Sequence, residues 1–103
     1  MNRTEGIRLA RTLKDRLQAA GYPVREVYLF GSVAAGTTHP GSDIDVAVVC
    51  DPFRPTRHEE NMDVRRVRRD LDVRIDPVCL HPEDFENRYS TLVQEVRRHG
   101  VLV

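Results

Sequence analysis

The sequence has no net charge, because sixteen basic and sixteen acidic residues balance over its 103 residues. No overall electrostatic field would attract the chain to nucleic acid or to an anionic membrane, so we expect no general nucleic-acid binding. A long apolar segment is also missing from the amino terminus, which carries a charge every few residues. Neither a secretory signal nor a membrane span fits that pattern, and the sequence therefore predicts a cytoplasmic protein without a membrane partner.

Cysteine is scarce, since the chain has only Cys50 and Cys79, each at the end of an apolar run. No CxxC pair or nearby cysteine–histidine cluster accompanies them, which argues against zinc. We expect two buried, inert thiols, with a disulfide as the minor alternative. Linkers, repeats and low-complexity tracts are also missing, so residues 1–103 are predicted to form a single domain with one modest core.

Hydrophobic periodicity predicts helices and strands that alternate along the chain, which is typical of an α/β unit. Helical spacing covers 4–20, 32–35, 57–70, 82–87 and 92–99, whereas strand patterns cover 24–30, 44–50, 73–78 and 101–103. The residues 36–42 are rich in glycine, proline and small polar side chains and predict a loop. Strand 44–50 is apolar on both faces and should be central, whereas Pro77 places the third strand at or near a sheet edge.

Two helix starts and one arginine-rich helix are also indicated by spacing. Thr56 with Glu59, and Thr91 with Gln94, have the spacing of a capping box. The helix at 57–70 has a narrow apolar stripe that begins at Met62, and its arginine-rich run covers 65–69. That run is either a solvated helix face or a patch for a protein partner or RNA.

Two aspartates, Asp43 and Asp45, open the apolar strand at 44–50. The period of two in a strand puts both carboxylates on one face, roughly 6 to 7 Å apart along the chain. A divalent cation would relieve their repulsion, and Mg²⁺ prefers such oxygen ligands while keeping positions open for phosphate oxygens. The pair could also bridge two metals during an in-line displacement at phosphorus. Alone, two such carboxylates are often merely solvated.

Gly31 and Ser32 follow the first predicted strand and open a helical turn. Backbone N–H groups and a hydroxyl would be presented there to a phosphate. The simpler alternative is a glycine that ends the strand, followed by a serine that caps a helix.

The combination is more selective than either half: a strand, Gly-Ser, ten residues, and then Asp-x-Asp at the head of a second apolar strand. This stretch, FGSVAAGTTHPGSDIDVAVV at 30–49, resembles the GS-x10-DxD signature of the DNA polymerase beta superfamily of nucleotidyltransferases, and most of all its minimal members. The segments RIDPVCLHPEDFEN and LVQEVRRHGVLV are similar to the closing part of those minimal proteins. The resemblance implies the nucleotidyltransferase fold, a small mixed β-sheet flanked by α-helices.

The resemblance also implies a role for each matching residue. Gly31 and Ser32 would hold the triphosphate of ATP, and Asp43 and Asp45 would hold Mg²⁺. Asp76, on the third predicted strand, would be the third acidic ligand and would help to deprotonate the acceptor. These three aspartates are therefore the expected catalytic and metal-binding residues.

Two positions leave alternatives open. Asp72 shares the strand parity of Asp76 and competes with it for the place of the third ligand, although an exposed aspartate at the beginning of a strand is its simpler interpretation. Many relatives carry arginine or lysine where this chain has Ala35, so affinity for the triphosphate could be weaker here.

Minimal nucleotidyltransferases of this kind resemble the antitoxin of two-gene systems whose toxin is a HEPN-domain ribonuclease. The implied reaction is transfer of AMP from ATP to a tyrosine hydroxyl of that toxin, and the implied assembly is a hetero-oligomer. One alternative is an antitoxin with little or no catalytic activity that neutralises its partner by binding. Another is transfer to a small molecule, against which the short chain argues because little surface remains to enclose such an acceptor.

Overall fold

The computed structural model describes residues 2–36 and 43–103, and the predicted loop at 36–42 lies outside them apart from its first residue. The helices are α1 (Arg3–Ala19), α2 (Gly31–Ala35), α3 (Arg57–Arg69) and α4 (Thr91–His99), with a 3₁₀ helix at Pro82–Glu86. The strands are β1 (Val24–Phe30), β2 (Ile44–Cys50), β3 (Ile75–Leu80) and β4 (Val101–Leu102). Strands β1 and β2 have the predicted bounds. No helix in the described part of the chain is both long enough and apolar enough to cross a bilayer.

The four strands form one mixed sheet in the order β3-β2-β1-β4. Strand β1 pairs antiparallel with both β2 and β4, whereas β2 and β3 run parallel. Strand β2 is therefore central and β3 lies at an edge, where Pro77 is tolerated because an edge strand needs fewer ladder donors. This arrangement confirms the predicted fold class, a small mixed sheet flanked by helices.

Both faces of the sheet are covered, which explains the apolar run of β2. One face packs against α1 and α3 through Leu13, Leu17 and Val64, and the other packs against α4 through Val96. Side chains of β2 alternate between these two cores, and Asp45 is the one residue of the strand that is not fully buried. The sheet thus holds Asp45 at the head of an otherwise apolar strand.

The helix starts follow one predicted cap and depart from another. The Thr56 side chain accepts a hydrogen bond from the Glu59 N–H, as the capping-box spacing predicts. At α4 the cap is Ser90, whose side chain accepts from the Val93 N–H, so the prediction of Thr91 as the cap was wrong by one residue. Ser90 is the cap because its hydroxyl, one residue earlier, accepts from one of the unpaired N–H groups of the first turn.

Helix α3 buries acidic side chains where its sequence suggested only an apolar stripe. Met62 is 47% exposed, so its assignment to the core was wrong, whereas Glu60 is completely buried. The Glu60 carboxylate accepts a hydrogen bond from the Phe53 N–H at 2.8 Å and contacts His81 Nε2 at 2.7 Å. Burial alone would raise the pKa of Glu60, but these hydrogen bonds outweigh it, and the pKa is lowered.

Cys50 ends β2 and Cys79 lies on the neighbouring strand β3, and both are buried free thiols, as the sequence predicts. A hydrogen bond from the Cys79 thiol lowers the pKa of Cys50. The same hydrogen bond, together with burial, raises the pKa of Cys79.

Candidate functional site

The strand register brings the predicted acidic residues to one end of the sheet. Asp45 of β2 and Asp76 of β3 are direct partners in the parallel pair, so their side chains leave the same face of strands that lie about 4.8 Å apart. Asp43 precedes Asp45 by two residues and is exposed just before the strand begins. The structure therefore places all three aspartates at the same end of neighbouring strands.

Gly31 lies directly against the Asp45 carboxylate. Phe30 is the register partner of Asp45 across the antiparallel pair, so the chain leaves β1 right beside that side chain. Gly31 has a φ of +72°, and a Cβ built on it would lie 2.1 Å from Asp45 Oδ2. Both the left-handed backbone and the close approach require glycine here. The glycine of the GS pair thus forms one wall of the acidic site.

Helix α2 begins at Gly31 and Ser32, immediately after β1. Phe30 occupies the N-cap position without a side-chain hydrogen bond to the first turn. The first N–H groups of a helix carry partial positive charge and have no partner within the helix, so they can receive an anion. Helix α1 supports α2 from behind, because Gly6 leaves room for Val33; a Cβ on Gly6 would lie 2.5 Å from Val33 Cγ1.

The electrostatics of the site are those of crowded carboxylates. Burial is the largest cause that raises the pKa of Asp45. The negative charges of Asp76 and Asp43 raise it further, and so does Glu95 on α4. Each of these neighbours opposes ionisation of Asp45, which a bound cation would reverse. Glu95 was missed by sequence reasoning, since its approach to β2 depends on how α4 packs on the sheet.

Asp72, the competitor for the place of the third acid, has a different environment. Its carboxylate contacts Arg74 Nη2 at 2.7 Å and accepts a hydrogen bond from the Arg74 N–H at 2.9 Å. The side-chain hydrogen bond from Arg74 lowers the pKa of Asp72, and the backbone hydrogen bond acts in the same direction against burial. Asp72 therefore closes the turn before β3, while Asp76 is the aspartate beside Asp45.

Carboxylate oxygens from Asp43, Asp45 and Asp76 are the donors that a hard divalent cation prefers, and the space beside Asp45 Oδ2 that a Cβ on Gly31 would fill stays open. In this respect the residues fit Mg²⁺. As the side chains stand, however, no three acidic, histidine or cysteine groups within residues 2–36 and 43–103 converge as a metal-binding set. The assignment of these aspartates as metal ligands stays a prediction.

An open cavity of about 500 Å³ adjoins the acidic site. Asp45 and Asp76 line it together with Asn61 and Arg65 of α3, and Leu92 of α4 forms part of an apolar wall. Sequence reasoning did not place Asn61 or Arg65 here. Their spacing of four residues predicts that they share one face of a helix. The sequence does not predict that this face lies beside Asp76, because that depends on how α3 packs along β3.

Comparison with known proteins agrees with this fold. The family model described as a nucleotidyltransferase domain matches residues 8–102. No curated protein matches the chain.

Three solved structures illustrate the likeness. A Sulfolobus solfataricus protein described as a nucleotidyltransferase superposes with a TM-score of 0.67 at 23% identity, over 97% of this chain and 80% of that one. A toxin–antitoxin complex with AMP-PNP gives a TM-score of 0.57 at 28% identity, over 99% and 72% of the two chains. A complex of tri-AMPylated Shewanella oneidensis HEPN toxin with MNT antitoxin gives 0.53 at 23%, over 94% and 70%. The first and third likenesses, at 23% identity, show the fold alone.

Proposed function

Since this chain belongs to the nucleotidyltransferase domain family, we propose that it is a cytoplasmic, Mg²⁺-dependent transferase that moves AMP from ATP to a tyrosine hydroxyl of a HEPN-domain toxin. The observation that carries the proposal is the position of Asp45. Gly31 lies against it on one side, and Asp76 is its register partner on the other. This adjacency supports the proposal, in which the turn at Gly31 binds phosphate and the paired carboxylates bind the cation.

The proposed reaction is a displacement at the α-phosphorus of ATP. The tyrosine oxygen forms a bond to that phosphorus, the bond to the bridging oxygen of the β-phosphate breaks, and pyrophosphate leaves. A divalent cation held by Asp43, Asp45 and Asp76 supplies neutralisation of the phosphate charges when it is bound. The N–H groups at Gly31 and Ser32 hold the triphosphate, and Asp76 accepts the proton of the tyrosine hydroxyl.

The choice of partner is supported by the likeness at 28% identity. That protein is part of a toxin–antitoxin complex that contains AMP-PNP, an ATP analogue. The likeness covers 99% of the present chain, so the whole of this domain has a counterpart in that protein. We therefore propose the same kind of nucleotide and partner for this chain. The toxin in the Shewanella complex carries the modification that the proposed reaction makes, although that likeness on its own extends to the fold only.

Transfer of label from ATP radiolabelled at the α-phosphate tests the proposal. The chain is incubated with Mg²⁺ and the protein encoded by the adjacent gene, and we expect label on a tyrosine of that protein. Asp43→Asn should abolish transfer, because it replaces a charged carboxylate that is proposed to bind the metal ion by a neutral amide. Asp15→Asn is the matched control, since it removes the same charge from an exposed position on α1. Absence of label with Mg²⁺ or Mn²⁺ would contradict the proposed transfer.

A second candidate is an antitoxin that neutralises its partner by binding alone. It is favoured by one observation, that the three aspartates do not converge as a metal-binding set in the described structure. Under this alternative, the double variant Asp43→Asn with Asp45→Asn would still neutralise the toxin in a growth assay. Under the transferase proposal, the double variant would fail to rescue growth.

A further inference from the structure

Arg65 reaches around the edge of the sheet to the third aspartate. Helix α3 packs along β3, and the Asn61 side chain accepts a hydrogen bond from the Cys79 N–H at 3.0 Å, which fixes the helix to the edge strand. One turn later, Arg65 Nη2 lies 3.4 Å from Asp76 Oδ1. The arginine is thereby placed beside the acidic site by the same helix face that holds the strand.

This ion pair is loose and accessible. Its separation of 3.4 Å exceeds the 2.7 Å of the Arg25–Asp51 pair, and Arg65 and Asp76 keep 45% and 52% of their side-chain surface exposed. Exposed pairs of this kind contribute little to stability. Arg65 and Asp76 can therefore separate without disturbing the core.

The cavity beside the acidic site carries both negative and positive side chains. Asp45 and Asp76 line the cavity, and Arg65 is the only cationic side chain among the described residues that line it. When no metal ion is bound, the positive charge of Arg65 balances part of the negative charge of Asp45 and Asp76. It also holds the Asp76 carboxylate, which would otherwise be free to turn toward a metal ion shared with Asp45.

We propose that Arg65 is a positioning residue that changes partners when the site is loaded: it holds Asp76 in the unloaded site, and it binds a phosphate of the nucleotide once a divalent cation takes Asp76. This inference rests on the proposed function. The planar guanidinium suits both partners, because it forms paired hydrogen bonds to carboxylate and to phosphate oxygens. Arg65 thus lowers the affinity for the cation alone and raises the affinity for the nucleotide with its cation.

The test is isothermal titration calorimetry of Arg65→Gln with MgCl₂ alone and with AMP-PNP plus saturating MgCl₂. Loss of the exposed ion pair should tighten binding of Mg²⁺ alone about two- to fivefold. Loss of a charged hydrogen bond to phosphate should weaken AMP-PNP binding about tenfold. Effects in opposite directions on two ligands of one site cannot come from a general loss of structure.

Arg66→Gln is the matched control, because it removes the same charge from the next position of α3, where Arg66 contacts Asp63 instead. We expect both of its affinities to stay within about twofold of the parent, since a screened charge outside the cavity acts weakly. Arg65→Lys should recover part of the AMP-PNP affinity, because it restores the charge without the planar fork.

The outcomes separate this inference from the function on which it rests. If the parent binds both ligands and Arg65→Gln behaves like Arg66→Gln, the exchange role is wrong while the transferase proposal stands. A loss of affinity for Mg²⁺ alone in Arg65→Gln would also overturn the exchange. If the parent binds neither Mg²⁺ nor AMP-PNP, the proposed function fails and the role of Arg65 fails with it.

Discussion

Replacing Gly31 by alanine tests the packing at the centre of the site. A φ of +72° costs a residue with a Cβ about 1 to 2 kcal/mol, of which roughly 0.5 to 1 kcal/mol is offset because alanine restricts the unfolded chain. The new Cβ would lie 2.1 Å from Asp45 Oδ2, so Asp45 must move, and such overpacking costs about 1 to 3 kcal/mol. We expect Gly31→Ala to lower the free energy of unfolding by about 3 kcal/mol.

Urea unfolding followed by circular dichroism measures this loss, since the chain has no tryptophan to report by fluorescence. Gly21→Ala is the control, because Gly21 has a φ of +91° and a Cβ added there would meet no atom within 4 Å. It should cost about 1 kcal/mol through the backbone alone. In an Asp45→Ala background, Gly31→Ala should cost about 1 to 2 kcal/mol less than in the parent. Equal losses for Gly31→Ala and Gly21→Ala would refute the contact between Gly31 and Asp45.

Three further predictions concern other ionisable groups. Asp45→Asn should stabilise the metal-free protein by about 0.5 kcal/mol, because burial and neighbouring charges raise the pKa of Asp45 while water screens part of the repulsion; a thermal midpoint about 3 °C higher checks this, and a lower midpoint contradicts it. The pKa of Glu60 is lowered below its ordinary 4.5, so its stabilising effect is complete above that pH and is lost as the pH falls through the folded value. Glu60→Gln should therefore lower the free energy of unfolding in urea by about 2 kcal/mol at pH 7 and by clearly less near pH 3. A decrease that does not depend on pH would contradict the view that the charge of Glu60 holds His81. Cys50 and Cys79 should resist a thiol reagent in the folded protein and both react in denaturant, and fewer than two reactive thiols in denaturant would indicate a disulfide.

The sequence was most informative where a property is local to the chain. Strand β2 could be predicted to the residue because its apolar side chains, interrupted only by Asp45, are bounded by Asp43 on one side and Asp51 on the other. Strand periodicity alone predicts a shared face for Asp43 and Asp45, and the negative charge of Asp43 does raise the pKa of Asp45. The side-by-side position of Asp45 and Asp76 needed more, because only the parallel register of β2 and β3 brings distant parts of the chain together.

Features created by packing could not be predicted in this way. Val73 is β-branched and was predicted to begin the third strand, yet it is 70% exposed in the turn before β3. Asp72 and Arg74 close that turn through their hydrogen bonds, so the strand begins only after it. The arginine run on α3 offered no sign that Arg65 differs from its neighbours. That difference arises because the helix lies along the sheet edge, within reach of Asp76.

The most direct test of the central claim is a crystal structure of the chain with Mn²⁺ and AMP-PNP, using anomalous scattering to locate the metal. We predict an anomalous peak bound by carboxylate oxygens of Asp43, Asp45 and Asp76, with the triphosphate against the N–H groups of Gly31 and Ser32. A metal and nucleotide bound elsewhere on the molecule, with those three carboxylates turned away from both, would contradict the account.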